Sequence, residues 1–500
     1  MSRRLGILAS IILVLFVLVA AQAASIQFLR APALDASNLN PRNHTNSTLY
    51  PRGEIVAADG TILAESVRTG NSAYPYLRSY PLGSLTAGVV GFTSPFTEPW
   101  GLEAEYNSNL TAHTQPASSF EQLLAPTSAA DSLTLTLEPV LNKIAAANMT
   151  GQDGAAVVID PRTGSVLGMY SNPTYNPTLL ESTNSKEVLA AFKRYTTNDA
   201  HGFPPLGLVA TQQTFPPGST FKVITTAAVV AGRPDLLQKS YHHGSFTTLP
   251  DSNKLLYNDG GTSCGGTIAV MLPASCDPGF ALVGLDVGAK LMTSTANSFG
   301  YNEVPPLDFP NIVPSYFPSA ASFTTNLAGL AYSAIGQENV RATALQQALV
   351  AAAIANGGAI MTPHLMSSIS SPDGAVFKRF QDSVWKRPLT SAQAAQIVPL
   401  MENVVKDGTA TTVHFLAADD VAAKTGTAQT GNSLKNTDDW MIAFAPATHP
   451  TVAVAVVMPF QAQSAYGATV AGPIVKCLIE GALALQAGLP TTGTSTTCAS

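Results

Sequence analysis

The sequence predicts an α/β (α+β) protein whose main domain packs helices on a mainly antiparallel central sheet, preceded by a membrane anchor and a small, mostly-β module. Three observations carry this reading. Strand patterns stand at both ends of residues 151–490 with helical patterns between them, which favours helices laid on one sheet. An uncharged, mostly apolar run of about the length that crosses a bilayer follows Arg3 and Arg4. The 500 residues are 46% hydrophobic, enough to bury more than one core and to argue against disorder.

Taken in order, residues 1–30 read as a cytoplasmic tip and transmembrane anchor, with the two arginines holding the N-terminus inside. Ala21-Gln22-Ala23 has the small-x-small form of a cleavage site, so removal of the segment stays open, although the run exceeds a typical signal core. Either reading exports everything after Arg30, and the expected location is a single-pass protein of the cell membrane with its main domain outside the cytoplasm. Residues 31–150 read as a non-catalytic module. Its polar, Asn-rich start (31–50) is an exposed stalk, and residues 52–56 and 59–63 are two short strands around a turn. Residues 132–137 alternate with period two, as a strand does.

The domain expected over 151–490 opens with a hairpin. Residues 155–160 form a buried strand, Pro161-Arg162-Thr163-Gly164 a turn, and 165–169 the return strand. Residues 220–231 and 343–355 are helical, the second closed by Asn356-Gly357-Gly358. Residues 421–428, 441–445 and 452–458 are strands, 473–486 a helix, and 491–500 a flexible Thr/Ser/Gly tail. No internal repeat is present.

Charged residues make up only 12% of the chain, about half the usual share. A net charge of −6 offers no basic stripe, which excludes nucleic-acid binding. The four cysteines are no disulfide scaffold. Outside the cytoplasm Cys264 and Cys276, a short loop apart, are the better placed to pair, with Cys498 in the tail; four free or partly buried thiols remain the alternative. His242 and His243 are adjacent, without the helical spacing of metal ligands, so neither a metal nor another cofactor is expected.

The chemistry centres on Pro216-Pro217-Gly218-Ser219-Thr220-Phe221-Lys222. A rigid turn precedes an apolar helix, and the i to i+3 spacing brings Ser219 and Lys222 onto one face. A serine hydroxyl needs a neighbour to take its proton, and a lysine can do so only where its charged form is disfavoured. The helix start also supplies N–H groups suited to an oxyanion. The bland alternative is a capping serine beside a solvated lysine, since one S-x-x-K is expected by chance in roughly every such chain. Ser383-Val384-Trp385-Lys386 is that chance case, running straight into Arg387-Pro388. What sets Ser219 apart is its sequel: Ser275-Cys276-Asp277, then Lys424-Thr425-Gly426-Thr427 in a strand context.

These three motifs, in this order, resemble the S-x-x-K, S-x-N and K-T-G set of the penicillin-binding proteins and serine β-lactamases. The resemblance covers nearly the whole chain and is specifically to a class B penicillin-binding protein, a monofunctional D,D-transpeptidase with an N-terminal anchor. Arg52-Gly53 with Ile55 and Gly101-x-Glu103-x-x-Tyr106 are similar to that class's N-terminal module. Asp160-Pro161-x-Thr163-Gly164, Ile335-Gly336-Gln337, Val404-Val405-x-x-Gly408-Thr409 and Asp439-Trp440 through Ala445-Pro446 are similar to its catalytic domain.

The resemblance implies acylation of Ser219 by a stem peptide ending in D-Ala-D-Ala, release of the terminal D-Ala, and transfer to a neighbouring stem-peptide amine. β-lactams would acylate the same serine. Lys222 would be its base and Ser275 would relay the proton to the leaving amine. Lys424 would keep the pocket positive, Thr425 and Thr427, with Gly426 between them, would hold the substrate carboxylate, and the N–H groups of Ser219 and Thr427 would form the oxyanion hole. A polytopic glycan polymerase would be the partner, met through the anchor and N-terminal module.

The sequence departs from the family at Asp277, where the S-x-N motif has asparagine. A carboxylate only accepts hydrogen bonds, and beside Lys222 it would favour that lysine's charged form. Ser182-Thr183-Asn184 precedes the nucleophile and Ser294-Thr295-Ala296-Asn297 has one residue too many, so order and spacing keep Ser275 and Asp277, with Asp277 expected to pair with a lysine or be held neutral. The alternatives to a transpeptidase are a D,D-carboxypeptidase or β-lactamase-like hydrolase, and a catalytically degenerate penicillin-binding scaffold.

Overall fold

The computed structural model describes residues 2–26, 48–114, 128–250, 252–430 and 436–489. Most of the expected stalk, and all of the tail with Cys498, lie outside them.

A central sheet of five strands organises the chain: β1 (Gly154–Ile159), β2 (Val166–Asn172), β3 (Ala422–Gln429), β4 (Thr437–Ala445) and β5 (Val452–Gln461). Their order is β3-β4-β5-β1-β2, and every neighbouring pair is antiparallel. Antiparallel sheets often leave one face to water, and then their strands alternate apolar with polar. Here the run from Val452 to Met458 is apolar at every position, because both faces are covered. Ala453, Ala455 and Val457 pack in one core with helices α1 (Lys222–Gly232) and α2 (Ala344–Ala355). Val452, Val454 and Val456 pack in a second core with α3 (Gly467–Gln486).

Helix α3 begins six residues before the expected start at Pro473, which lies inside it. Proline is favoured in a helix's first turn because it lacks the N–H that a helix interior uses, yet Pro473 stands in the interior. Packing overrides that signal: Gly467 sits where a Cβ would lie 2.3 Å from the carbonyls of Gly426 and Trp440, so the first turn is wedged against β3 and β4. By length and apolarity α3 could cross a membrane, but most of its apolar stretch is buried inside the protein, and it is a core helix.

The N-terminal helix Ser2–Ala24 has a different environment. Its large apolar side chains from Ile12 to Val19 are all exposed, and 23 residues at about 1.5 Å each reach across the ~30 Å hydrocarbon core of a bilayer.

A second sheet joins Ile55–Val56, Ile62–Arg68, Tyr76–Ser79 and Ser132–Leu135 to Met366–Ser370 and Val376–Arg379, so strands from two distant parts of the chain complete it. Beside it Arg52, Arg78 and Glu103 form a fully buried ionic cluster. Arg52 Nη2 and Nε donate to Glu103 Oε2 at 2.8 and 3.0 Å, Arg78 Nε donates to Oε1 at 2.6 Å, and Arg52 Nη1 donates to Asn107 and Thr111. One carboxylate thus bonds two guanidinium groups, while Arg78 Nη2 completes no hydrogen bond among the described residues. Asp308 ties this region to the second sheet by accepting from the Tyr106 hydroxyl at 2.6 Å and from the N–H groups of Leu365 and Met366 at 2.6 and 2.8 Å.

Replacing Glu103 with alanine would strand two buried cations, an expected cost of about 3–5 kcal/mol. Thermal or urea unfolding should therefore come earlier, with lost hydrogen-exchange protection around Arg52 and Arg78; an unchanged midpoint would refute the dependence on this cluster.

Candidate active site

The nucleophile motif stands on a turn that the sheet holds from behind. Gly218–Phe221 is a 3₁₀ turn, entered through Gly218 at φ +53°, and α1 continues from Lys222. The helix expected from Thr220 thus starts with a tighter turn. Trp440 Nε1 on β4 donates to Pro216 O at 2.9 Å, Gly218 N to Gly336 O at 3.0 Å, and Thr220 Oγ1 to Pro217 O at 2.8 Å. Strand β3 runs close against this turn. A Cβ at Gly426 would sit 2.9 Å from Pro217 O and 3.0 Å from Thr220 Cγ2, which explains a glycine between the two threonines.

Ser219 is partly exposed, while Lys222 and Lys424 are fully buried. Both amines converge on Ser275. Lys222 Nζ donates to Ser275 O at 2.6 Å, to Ser275 Oγ at 3.3 Å and to Asp277 Oδ1 at 2.7 Å. Lys424 Nζ donates to Ser275 Oγ at 2.8 Å and to Thr425 O at 2.9 Å. Along β3, Thr425 Oγ1 shares a 2.6 Å hydrogen bond with Thr409 Oγ1, and Thr427 Oγ1 accepts from Gly467 N at 3.2 Å. The structure therefore gathers Lys222, Ser275, Asp277 and Lys424 in one contact network, with Gly426 against the Ser219 turn and Thr425 and Thr427 beside it on β3.

Ser275 occupies a left-handed conformation at φ +54°, where a non-glycine residue is held by its surroundings. The hold is visible: Ser275 N donates to Leu272 O, Cys276 N to Met271 O, and Cys276 is joined by a disulfide to Cys264. The pairing that the sequence left open between Cys264 and Cys276 is thus formed. Asn258 Oδ1 accepts from Asp277 N at 2.9 Å, fixing the next residue where helix Asp277–Val287 begins.

Burial disfavours the ammonium of Lys222 and lowers its pKa, while the charge and hydrogen bond of Asp277 pull it back up. Burial and the neighbouring charge of Lys222 push Lys424 well below the usual lysine value. Burial and then Asp277 raise the Asp259 carboxyl, which lies close enough to favour the Lys222 charge slightly. Two amines inclined to give up protons on either side of one hydroxyl can pass a proton through it.

The rival motifs serve other purposes. Val384–Lys386 is a strand, and Lys386 pairs with Glu303 at 2.5 Å. Asn184 caps helix Ser185–Thr196, and Asn297 Oδ1 accepts from Asn302. His242 and His243 are exposed on strand Tyr241–Gly244. Among the described residues Asp153, Asp199 and His201 come close enough to share an ion, but Asp199 Oδ1 already accepts from the N–H groups of His201 and Phe203, and His201 bonds Asp153 and stacks on Phe460.

Sequence reasoning missed Asn258, the anchoring indole of Trp440 and the support of Thr427 from Gly467, all of which act across long chain separations. It named Asp439 only within the family resemblance and passed over Asp438, although two adjacent acids at the head of an apolar strand are a signal visible in the sequence.

Residues 154–480 match the family described as penicillin binding protein transpeptidase domain. The chain belongs to that family. Residues 52–131 match the penicillin binding protein A dimerisation domain. Peptidoglycan D,D-transpeptidase PbpA of Mycolicibacterium smegmatis is 34% identical, over 97% of this chain and 99% of its own length. The enzyme of the same name from Mycobacterium tuberculosis is 33% identical over 94% of this chain and 97% of its own. Among solved structures, penicillin-binding protein A from M. tuberculosis as its penicillin G acyl-enzyme complex superposes with a TM-score of 0.78 at 32% identity, covering 87% of this chain and 100% of the other.

Within this penicillin-binding fold, Asp277→Asn would remove the anion that keeps Lys222 charged, lowering that lysine's pKa. A lower pKa makes the neutral amine available at lower pH, so the acidic limb of the pH profile of β-lactam acylation should move to lower pH. An unchanged rate and profile would show that Asp277 does not set the state of Lys222.

Proposed function

We propose that this chain is a peptidoglycan D,D-transpeptidase that cross-links stem peptides through an acyl-enzyme on Ser219, the residue that penicillin also acylates. The observation that carries this reading is the convergence of two buried lysines on Ser275 beside the Ser219 turn. The family membership and the PbpA relatives support it.

Ser219 Oγ attacks the carbonyl of the penultimate D-Ala as its proton moves to the neutral amine of Lys222. In the resting arrangement Lys222 donates to three acceptors, as an ammonium does, so it must first release a proton. Ser275 Oγ, bonded to both amines, leads that proton to Lys424, whose neutral form burial favours. The N–H groups of Ser219 and Thr427 stabilise the tetrahedral oxyanion. Collapse breaks the peptide bond, and Ser275 delivers a proton to the departing D-Ala amine. The amine of a second stem peptide then attacks the ester, forming the cross-link and returning the proton to Ser219.

Strand β3 is an edge strand, so one row of its backbone groups is free to pair with an extended peptide. Thr425 and Thr427 on that strand hold the terminal carboxylate of the donor. On this reading the chain divides into a 1–30 anchor, a 31–150 non-catalytic module, a 151–490 transpeptidase domain and a 491–500 tail, which the family matches over 52–131 and 154–480 support. The exposed apolar face of Ser2–Ala24 supports single-pass anchoring with the site outside the cytoplasm, where a polytopic glycan polymerase would meet the anchor and module.

Labelling with a fluorescent penicillin tests the nucleophile. The wild type should retain label mapped to Ser219, and Ser219→Ala should lose it; label persisting on the variant would overturn the assignment. Rapid spontaneous loss of label from the wild type would instead identify a hydrolase.

A further inference from the structure

Asp439 lies on β4 directly opposite Thr427 in the antiparallel register of β3 and β4, so the two side chains share a face of the sheet. The residue is fully buried. Among the described residues neither of its carboxyl oxygens completes a hydrogen bond, although the hydroxyls of Thr437 and Thr427 are near enough to favour its charged form. A buried carboxyl without good partners is costly, more so when ionised, and nothing in the proposed acyl transfer uses it. Thr427 Oγ1 already accepts from Gly467 N, which leaves its own O–H proton to be directed elsewhere.

We propose that the Asp439 carboxyl governs the carboxylate subsite at Thr427 by gaining and losing a proton. This rests on the reading that Thr425 and Thr427 hold the substrate's terminal carboxylate. When Asp439 is neutral, the Thr427 hydroxyl is free to donate to an incoming carboxylate. When Asp439 is ionised, it draws that same proton toward itself and sets a negative charge behind the subsite. Both effects weaken carboxylate binding.

The switch falls near neutrality. Burial pushes the Asp439 carboxyl up to about 7; Asp438 beside it and, across the fold, Asp259 push in the same direction, while Thr437 and Thr427 oppose. From β5 the residue opposite is Met458, which carries no charge. Asp438, on the other face of β4, is also raised to about 7 by burial, with Phe460 N donating to it at 3.3 Å. A replacement at Asp439 alone is therefore needed to separate the two.

The test compares penicillin G with its methyl ester, which lacks the free carboxylate. The quantity is the ratio of their second-order acylation rate constants between about pH 6 and pH 8. Titration of Lys222 or Lys424 in their shared proton-transfer role acts on both compounds and cancels in the ratio. The ratio should favour penicillin G at low pH and fall by about tenfold as pH rises through 7 in the wild type. In Asp439→Asn it should stay high and flat. A ratio that falls equally in the variant, or stays high and flat in the wild type, overturns the role of Asp439 and leaves the subsite reading standing. A ratio near one at every pH overturns the subsite reading and this proposal with it. The wild-type comparison keeps the proposal falsifiable if the variant fails to fold.

Discussion

Lys222 and Lys424 are both withdrawn from water and both bonded to the hydroxyl of Ser275, so two ammonium charges must be reconciled in one small volume. In a low-dielectric pocket like charges at this separation repel strongly, and each favours loss of a proton from the other. Much of the surrounding architecture serves to hold that arrangement. The disulfide and Asn258 fix Ser275 and Asp277 from one side, β3 carries Lys424 from another, and the Pro-Pro-Gly turn is tied to β4 by the Trp440 indole.

Asp277 changes the balance in this pocket. An asparagine there would offer a neutral amide, whereas the carboxylate supplies one negative charge against two amines. It bonds Lys222 and reaches Lys424 only through its charge, so the two lysines differ in environment: one has its counter-ion in contact, while at the other burial and the Lys222 charge outweigh the more distant carboxylate. That asymmetry makes Lys222 the better resting place for a proton than Lys424. Ser275, held in a left-handed conformation between them, carries the hydroxyl that both amines contact.

A second group of acids lies on the far side of β3. Asp438 and Asp439 interrupt a strand whose other buried residues are mostly apolar, and each points to a different face. Strand β3 thus carries the buried amine of Lys424, and it lies beside two acids of raised pKa, Asp439 opposite Thr427 and Asp438 opposite Ala428.

The sequence by itself determined the antiparallel sheet, through the apolar runs ending at Ile159, Ala445 and Met458, and it placed Ser219 and Lys222 one turn apart at the start of an apolar helix, because both are set by local periodicity. The order of the three motifs pointed to one site before any coordinate. It could not place the start of α3, where packing of Gly467 against two carbonyls outweighs the proline at 473. Nor could it distinguish a disulfide from two thiols, or tell which lysine Asp277 would meet, since those outcomes depend on contacts between residues 12 to 55 positions apart. Asp439 is the sharpest case. Its charge is readable in the sequence, but its burial and its place opposite Thr427 arise only when β3 and β4 pair, because strand register and desolvation are properties of the assembled fold.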